Sequence, residues 1–186
     1  LLFWSAFFDP PKPIENQTQT IENDKIKNKE LDNGIVPSIN ETIVEKKISR
    51  EESIKKTARI LLENDKIKGS ISLEGAIIDD LSFKNYKEDI KSNNKVLFLN
   101  PKETENGYFI ESGWASIGNK IKVPTNKSIW NVVGNKILSV NNPVTLEWNN
   151  GSKLIFRKKI VIDDKYLFKI NQEVENKSSK KIELYP

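Results

Sequence analysis

Two pairs of adjacent carboxylates, Asp79-Asp80 and Asp163-Asp164, are the side chains of this sequence best suited to acid–base or cation chemistry. Adjacent residues of a β-strand point to opposite faces, so the members of a pair are not expected to share one substrate. In turns, by contrast, an aspartate accepts hydrogen bonds from nearby backbone amides. We therefore predict turn structure at both pairs. Calcium binding at Asp163-Asp164 is an alternative, although the ligand spacing of an EF-hand loop does not surround it.

The residue types that are missing exclude several kinds of chemistry. The 186-residue chain contains no histidine, cysteine or methionine. Ser-His-Asp and Cys-His arrangements, disulfide bonds and cysteine-based zinc sites are therefore impossible within it. A site built from carboxylates or lysine alone stays open. We predict that the protein is not an enzyme and has no catalytic residue, no cofactor and no metal site.

The charge pattern argues against nucleic-acid binding. The net charge is +4, and the lysines are scattered among aspartate and glutamate, with arginine only at positions 50, 59 and 157. A nucleic-acid-binding face would concentrate lysine and arginine, interleaved with aromatic residues. We predict a solvated surface and no nucleic-acid partner.

Two tryptophans are candidates for a binding groove. Trp114 and Trp130 lie beside glycine, proline and serine in the sequence, where an aromatic ring could line a groove for a sugar or a peptide. Burial in the core is the alternative, because aromatic side chains usually pack there. Trp148, in phase with Val144 and Leu146 along one strand face, is expected in the core.

Elements that would position these residues are mostly strands. Ser49 and Glu52 fit a capping box and predict a short helix over residues 50–57. Alternating apolar residues and turn signals then predict strands at 59–63, 69–74, 76–83, 95–99, 108–111, 144–148, 153–162 and 166–174. Asn150-Gly151 favours a type I′ hairpin turn. No βαβ unit, dinucleotide fingerprint or P-loop occurs, so we predict an all-β, antiparallel sandwich.

The first 48 residues have a different composition. Leu1–Phe8 is almost wholly apolar but spans only about 12 Å as a helix, too short for a bilayer core of about 30 Å. It fits the outer end of a spanning helix, with the tail of a signal peptide or an apolar stub as alternatives. Residues 9–48 are polar, lack a sustained period and predict a flexible linker.

Short segments from Ser49 onward carry a family resemblance through their order and spacing. They are Ser49-Arg50-Glu51-Glu52, Gly69-Ser70-Ile71, Gly75-Ala76, Ile78-Asp79-Asp80-Leu81, Tyr86, Leu99-Asn100-Pro101, Gly113-Trp114, Val123-Pro124, Trp130, Pro143-Val144-Thr145-Leu146, Trp148-Asn149-Asn150-Gly151, Phe156, Ile162-Asp163-Asp164-Lys165-Tyr166-Leu167-Phe168 and Val174-Glu175-Asn176. Together they resemble the large periplasmic domain of YidC-type membrane protein insertases, in its alphaproteobacterial form.

This resemblance implies a β-supersandwich related to the galactose-mutarotase fold, here incomplete. It divides the chain into the end of a transmembrane helix (1–8), a linker (9–48) and the first part of a periplasmic β-domain (49–186). It implies a membrane-anchored protein of the bacterial inner membrane that helps inner-membrane proteins insert and fold. The implied partners are Sec translocon components and nascent membrane proteins. It carries over no functional residue.

Two further expectations follow. A carbohydrate-binding or mutarotase-like module is the alternative function, although mutarotase chemistry is usually assigned to histidine with a carboxylate, and histidine is missing here. We also expect the chain to be the N-terminal part of a longer protein. Residues 49–186 alone are then expected to be marginally stable or oligomeric, because unpaired strand edges favour association.

Overall fold

The structure, a computed structural model, describes residues 47–186. Within them one α-helix and one 3-10 helix accompany nine strands. The helices are α1 (Arg50–Lys55) and the 3-10 helix Ile117–Asn119, and the strands are β1 (Arg59–Glu63), β2 (Ile67–Ser72), β3 (Ile77–Lys87), β4 (Lys95–Leu99), β5 (Asn131–Val133), β6 (Ile137–Leu138), β7 (Val144–Asn149), β8 (Leu154–Ile162) and β9 (Phe168–Asn176).

The strands form two sheets. The first has the order β4-β3-β2-β1-β6 and the second the order β5-β7-β8-β9. All neighbours are antiparallel except β1 and β6, which run parallel. The predicted all-β, antiparallel class is therefore confirmed, while the supersandwich architecture stays a prediction.

Apolar side chains from both sheets share one core. Alternation along the strands produces it: Ile60 and Leu62 of β1 are buried while Leu61 between them is exposed. Leu146 of β7 and Phe156 of β8 are fully buried in the second sheet. Both sheets contribute to a single hydrophobic cluster, so each covers the apolar face of the other.

The predicted cap of α1 is confirmed. The Ser49 side chain accepts a hydrogen bond from the backbone N–H of Glu52 at 3.2 Å, which satisfies one free amide of the first turn. The helix ends at Lys55, two residues earlier than predicted.

Several strand predictions need correction. The β7–β8 hairpin exists, but its turn is not type I′: Gly151 and Lys153 have positive φ whereas Asn150 does not. Instead the Asn150 side chain accepts hydrogen bonds from the backbone of Ser152 and Leu154, which closes a longer loop. The segment 108–111 makes isolated bridges rather than a strand. Strands β5 and β6 were not predicted, because two or three residues carry no readable period.

Asn64 joins the turn between β1 and β2 to the turn between β8 and β9. Its Oδ1 accepts from the backbone N–H groups of Lys66 and Ile67, and its Nδ2 donates to the backbone oxygens of Asp163 and Lys165. The side chain is buried with all its main hydrogen-bonding directions used. It therefore holds together two turns about 100 residues apart in the sequence.

The predicted membrane segment and nearly all of the predicted linker lie outside the described residues. Of the linker, residues 47 and 48 are described. The backbone N–H of Ile48 donates to the backbone carbonyl oxygen of Glu103 at 3.1 Å. Within residues 47–186, no helix has the length and hydropathy needed to cross a bilayer.

Candidate functional site

An apolar groove opens on the surface of the described domain. It encloses about 560 Å³. We define the apolar groove by its lining residues, which come from β2, β3, β4, β9 and two loops: Ile67, Leu81, Phe83, Tyr86, Val96, Phe98, Ile110, Tyr166 and Phe168. Every lining side chain is aliphatic or aromatic, so the groove selects for apolar ligands.

Aromatic contacts organise this groove around Phe83. The ring centroid of Phe83 lies 5.6 Å from Tyr86, 5.5 Å from Phe98 and 5.7 Å from Tyr166. Two of these contacts are edge-to-face, an arrangement that aromatic pairs favour. Phe98 is still 45% exposed and Tyr166 46% exposed. The rings are thus held in place by one another while much of their area remains open to a ligand.

The turn that carries Tyr166 is built by Asp163. Its Oδ1 accepts hydrogen bonds from the backbone N–H groups of Lys165 and Leu167, both at 2.9 Å. The turn prediction for Asp163-Asp164 is therefore confirmed. Because Asn64 also binds the Asp163 and Lys165 carbonyls, the groove wall at Tyr166 is fixed from both sides.

Asp79-Asp80 lies in a strand, as predicted for residues 76–83, so the turn role predicted for this pair was wrong. Both residues belong to β3, and the pairing with β2 steps from Ser70↔Asp80 to Ile71↔Ile78. Asp79 is the extra residue of this β-bulge. Since a bulge interrupts the alternation of side chains, adjacent aspartates can join one network. Gly69 permits the close strand approach here, because a Cβ at Gly69 would lie 1.9 Å from the Asp80 carbonyl oxygen.

The two aspartates take part in a buried ion-pair network. Arg59 pairs with Asp79, and Arg50 pairs with Asp80. Arg59 Nε also donates to Ser70 Oγ at 2.7 Å, and Ser70 Oγ donates to Asp80 Oδ2 at 2.5 Å. Sequence reasoning missed this network, because its partners are 20 and 30 residues apart.

The electrostatics of this network indicates a role in stabilising the fold. Burial raises the pKa of Asp79, while the hydrogen bond and charge of Arg59 oppose that rise. The network borders a polar cleft of about 470 Å³. Both carboxylates are occupied by guanidinium groups, so neither is a free base for a substrate. The arrangement can stabilise a fold, and it supplies no nucleophile.

The two candidate tryptophans lie side by side. Trp114 and Trp130 stack with centroids 6.3 Å apart and an interplanar angle of 23°. Trp130 is only 2% exposed, whereas Trp114 is half-buried against the core. Both line a second cavity of about 470 Å³, which we call the tryptophan cavity. Lys158 also lines it. Ligand binding by these two rings stays a prediction.

Lys158 brings an unusual charge into the tryptophan cavity. Its side chain is 1% exposed, and its Nζ lies 5.1 Å from the Trp130 ring centroid. The Nζ donates to the Ser112 carbonyl oxygen at 2.5 Å. Burial lowers the pKa of Lys158 to about 8, with the Glu111 charge opposing that change. Sequence reasoning missed Lys158, although a lysine between Phe156 and Ile160 on the buried face of β8 was a readable signal.

This burial should make stability depend on pH. The pKa of Lys158 is about 8 in the folded chain against an ordinary 10.5, so the unfolded chain binds more protons between those values. Stability should therefore rise by up to roughly 3 kcal/mol as the pH increases across that interval. Urea unfolding of the native chain and of Lys158→Met, at pH values from about 8 to 10.5, measures this change in stability. Equal pH dependence of the two proteins would contradict the expectation.

Metal ligands do not cluster in the described part of the chain. Within residues 47–186, no group of three or more aspartate or glutamate side chains is placed to hold an ion. The calcium alternative at Asp163 gains no support from this geometry, since the Asp163 carboxylate is engaged by backbone amides.

Fold and sites together define a class: a two-sheet β-domain that presents an apolar groove and whose aspartates at 79, 80 and 163 serve structure. A family comparison makes this specific. The chain belongs to the YidC periplasmic domain family, whose model matches residues 59–186.

Individual relatives agree with this family. A protein of Pelagibacter ubique named membrane protein insertase YidC is 38% identical over 185 residues, covering all of this chain and 32% of that protein. A protein of the same name from Methylobacterium radiotolerans is 46% identical over 141 residues, which cover 75% of this chain and 22% of that protein. A protein of the same name from Jannaschia sp. is 32% identical over 194 residues, covering all of this chain and 31% of that protein. The chain thus spans about a third or less of these relatives, and no solved structure matches it significantly.

Proposed function

We propose that this chain is the periplasmic part of a membrane protein insertase of the bacterial inner membrane. It helps inner-membrane proteins insert and fold, alone or with Sec translocon components, and it does so without catalysing a reaction. The family match over residues 59–186 and the shared name of the relatives support this. The end of a transmembrane helix at residues 1–8 and the linker at 9–48 would tether the domain to the membrane.

The apolar groove is the observation that carries this proposal. Its occupant is an extended apolar segment of a nascent membrane protein. Such segments are rich in the aliphatic and aromatic residues that the groove accepts, and they need cover from water before they enter the bilayer. Phe98 and Tyr166, both nearly half exposed, would bury further apolar area on binding.

Strand β4 offers a way to hold such a segment. It is an edge strand of the first sheet, paired with β3 on one side. Val96 and Phe98 of β4 line the groove, while Leu97 between them does not. A client strand added at this edge would gain backbone hydrogen bonds, and alternate side chains would enter the groove. Backbone pairing is tolerant of sequence, as a protein with many clients requires.

A matched pair of variants tests the groove. Phe98→Ser should weaken binding of a labelled decapeptide that alternates leucine with serine by at least about tenfold, because it removes an aromatic anchor. Leu97→Ser changes a neighbouring side chain with similar exposure, 41% against 45%, and should have little effect. Fluorescence anisotropy measures both. Equal losses in the two variants, or no binding by the native chain, would refute the groove as the client site.

A second measurement addresses the partners. A photo-reactive residue at position 98 is expected to cross-link to nascent inner-membrane proteins in membranes that are synthesising them. Cross-links to Sec components at other surface positions would support the Sec partnership. A position-98 probe that labels no nascent chain would count against the proposed function.

A further inference from the structure

We propose that the tryptophan cavity binds a carboxylate group carried on an apolar body, with the Lys158 ammonium as counter-charge and the Trp130 indole N–H as a second donor. This site is separate from the apolar groove, and its occupancy does not depend on the groove's proposed clients. It rests on the donor groups, the cavity and the aromatic wall described next.

The first support is a buried ammonium that forms no ion pair within the described residues. Lys158 is 1% exposed, yet no carboxylate of residues 47–186 forms an ion pair with it. An ammonium has three N–H donors, and the Ser112 carbonyl accepts one of them. Buried charges in proteins are normally paired, so an acidic group is the missing partner.

The second support is a buried indole N–H. Trp130 Nε1 has no hydrogen-bond partner within the described structure, although the residue is 2% exposed. Buried donors nearly always find an acceptor. Lys158 Nζ lies 5.1 Å from the ring of the same tryptophan. Both residues line the tryptophan cavity, and each carries N–H groups with fewer acceptors than donors.

The cavity suits an acid with an apolar body. Its volume of about 470 Å³ is in the range of small-molecule sites. Trp114, half-buried, supplies an aromatic wall beside the two donors.

The charge of Glu111 limits which anions fit. Glu111 supplies the one carboxylate side chain among the residues that line the cavity in the described structure, and Pro186, the last residue of the chain, lines it too. Its negative charge opposes a doubly charged anion more strongly than a singly charged one. We therefore expect a monocarboxylate to bind in preference to sulfate.

Benzoate tests the proposal. The probe is added to the ¹⁵N-labelled 186-residue chain, and the indole N–H signals are followed by NMR, with Trp130→Phe identifying the Trp130 signal. Benzoate should shift that signal with saturation near about 1 mM. Benzamide, which is neutral, and sulfate should bind at least about tenfold more weakly.

Variants separate the site from general effects. Lys158→Met should weaken benzoate binding at least about tenfold, while Lys159→Met, which changes the exposed neighbour, should not. Trp130→Phe should weaken binding, measured by calorimetry, while keeping the aromatic packing. If Lys158→Met does not fold, the Trp130→Phe variant and the comparison of benzamide with benzoate still test the proposed site. Native-like binding in both variants, or benzamide binding as tightly as benzoate, would overturn the proposal.

Two sources of the carboxylate are distinguished by one comparison. N-acetyl-leucine mimics a polypeptide C-terminus, and benzoate represents a free acid. Tighter binding of N-acetyl-leucine than of both benzoate and N-acetyl-leucinamide would support a polypeptide terminus, and tighter binding of benzoate would support a small acid. Binding of neither acid would overturn the proposal and would leave the groove experiments unaffected.

Discussion

Replacing Arg59 with methionine is expected to lower the free energy of unfolding by roughly 3–5 kcal/mol, because it leaves a buried carboxylate without its partner. Arg59 pairs with Asp79, and the two side chains are 9% and 11% exposed. Arg59 also donates to Ser70 at 2.7 Å and to Thr57 at 3.5 Å. Urea unfolding followed by circular dichroism measures the loss.

An exposed ion pair provides the control. Lys84 and Glu63 approach to 2.8 Å, but their side chains are 33% and 60% exposed. Lys84 Nζ also donates to the Asn64 backbone oxygen at 3.0 Å. Lys84→Met should still cost much less than Arg59→Met, because an exposed ion pair contributes little to stability. Arg59→Met combined with Asp79→Leu should recover much of the loss, since replacing both members of a buried pair by apolar residues is often neutral. A loss in Arg59→Met no larger than in Lys84→Met would show that the network contributes little.

The pH dependence of Arg59→Met follows from the same contact. Burial already raises the pKa of Asp79 from its ordinary 3.8, and Arg59 opposes that rise. Without Arg59 the pKa of Asp79 should rise further, so the folded variant takes up a proton at a higher pH than the unfolded chain does. Its stability deficit should then shrink as the pH falls from neutrality toward about 4.

Replacing Phe156 with alanine should cost roughly 3–5 kcal/mol, the usual range for deleting a buried aromatic ring. Phe156 is 0% exposed. Its ring centroid lies 5.1 Å from Trp114 and 5.6 Å from Trp148, so its loss leaves a void between two tryptophans. Tryptophan fluorescence and urea unfolding should report the change together.

Phe98→Ala is the matched control for Phe156→Ala. Phe98 is also a phenylalanine in a strand, but it is 45% exposed and lies in the apolar groove. Its removal should cost about 1 kcal/mol or less, since most surface substitutions have small effects. If both variants lost the same stability, Phe98 would be a core residue and the groove would not be an open surface.

Local patterns were enough to predict much of this fold. Val144 and Leu146 alternate with polar residues and are buried as expected. Ser49 caps α1, and Asp163 closes its turn, because both effects operate over two to four residues. Such interactions are written into neighbouring positions of the chain, so the sequence reveals them.

Function-related geometry was less accessible to sequence reasoning. The missing histidine and cysteine excluded whole classes of catalysis directly. The resemblance indicated the family, which the match over residues 59–186 confirmed. Neither source indicated which residues would form a groove, and the two candidate tryptophans turned out to line a different cavity.

Composition and local periodicity alone determined that this is a β-rich chain without histidine- or cysteine-based chemistry. Tertiary structure alone decided that a bulge places Asp79 with Arg59, that Lys158 is buried beside Trp130, and that Phe83 and Tyr166 meet in one groove. The physical reason is the sequence distance over which each effect acts. Periodicity is local and reports only which face of a strand a residue occupies. Strand register and sheet packing, which join residues 20 to 100 positions apart, decide what that face meets.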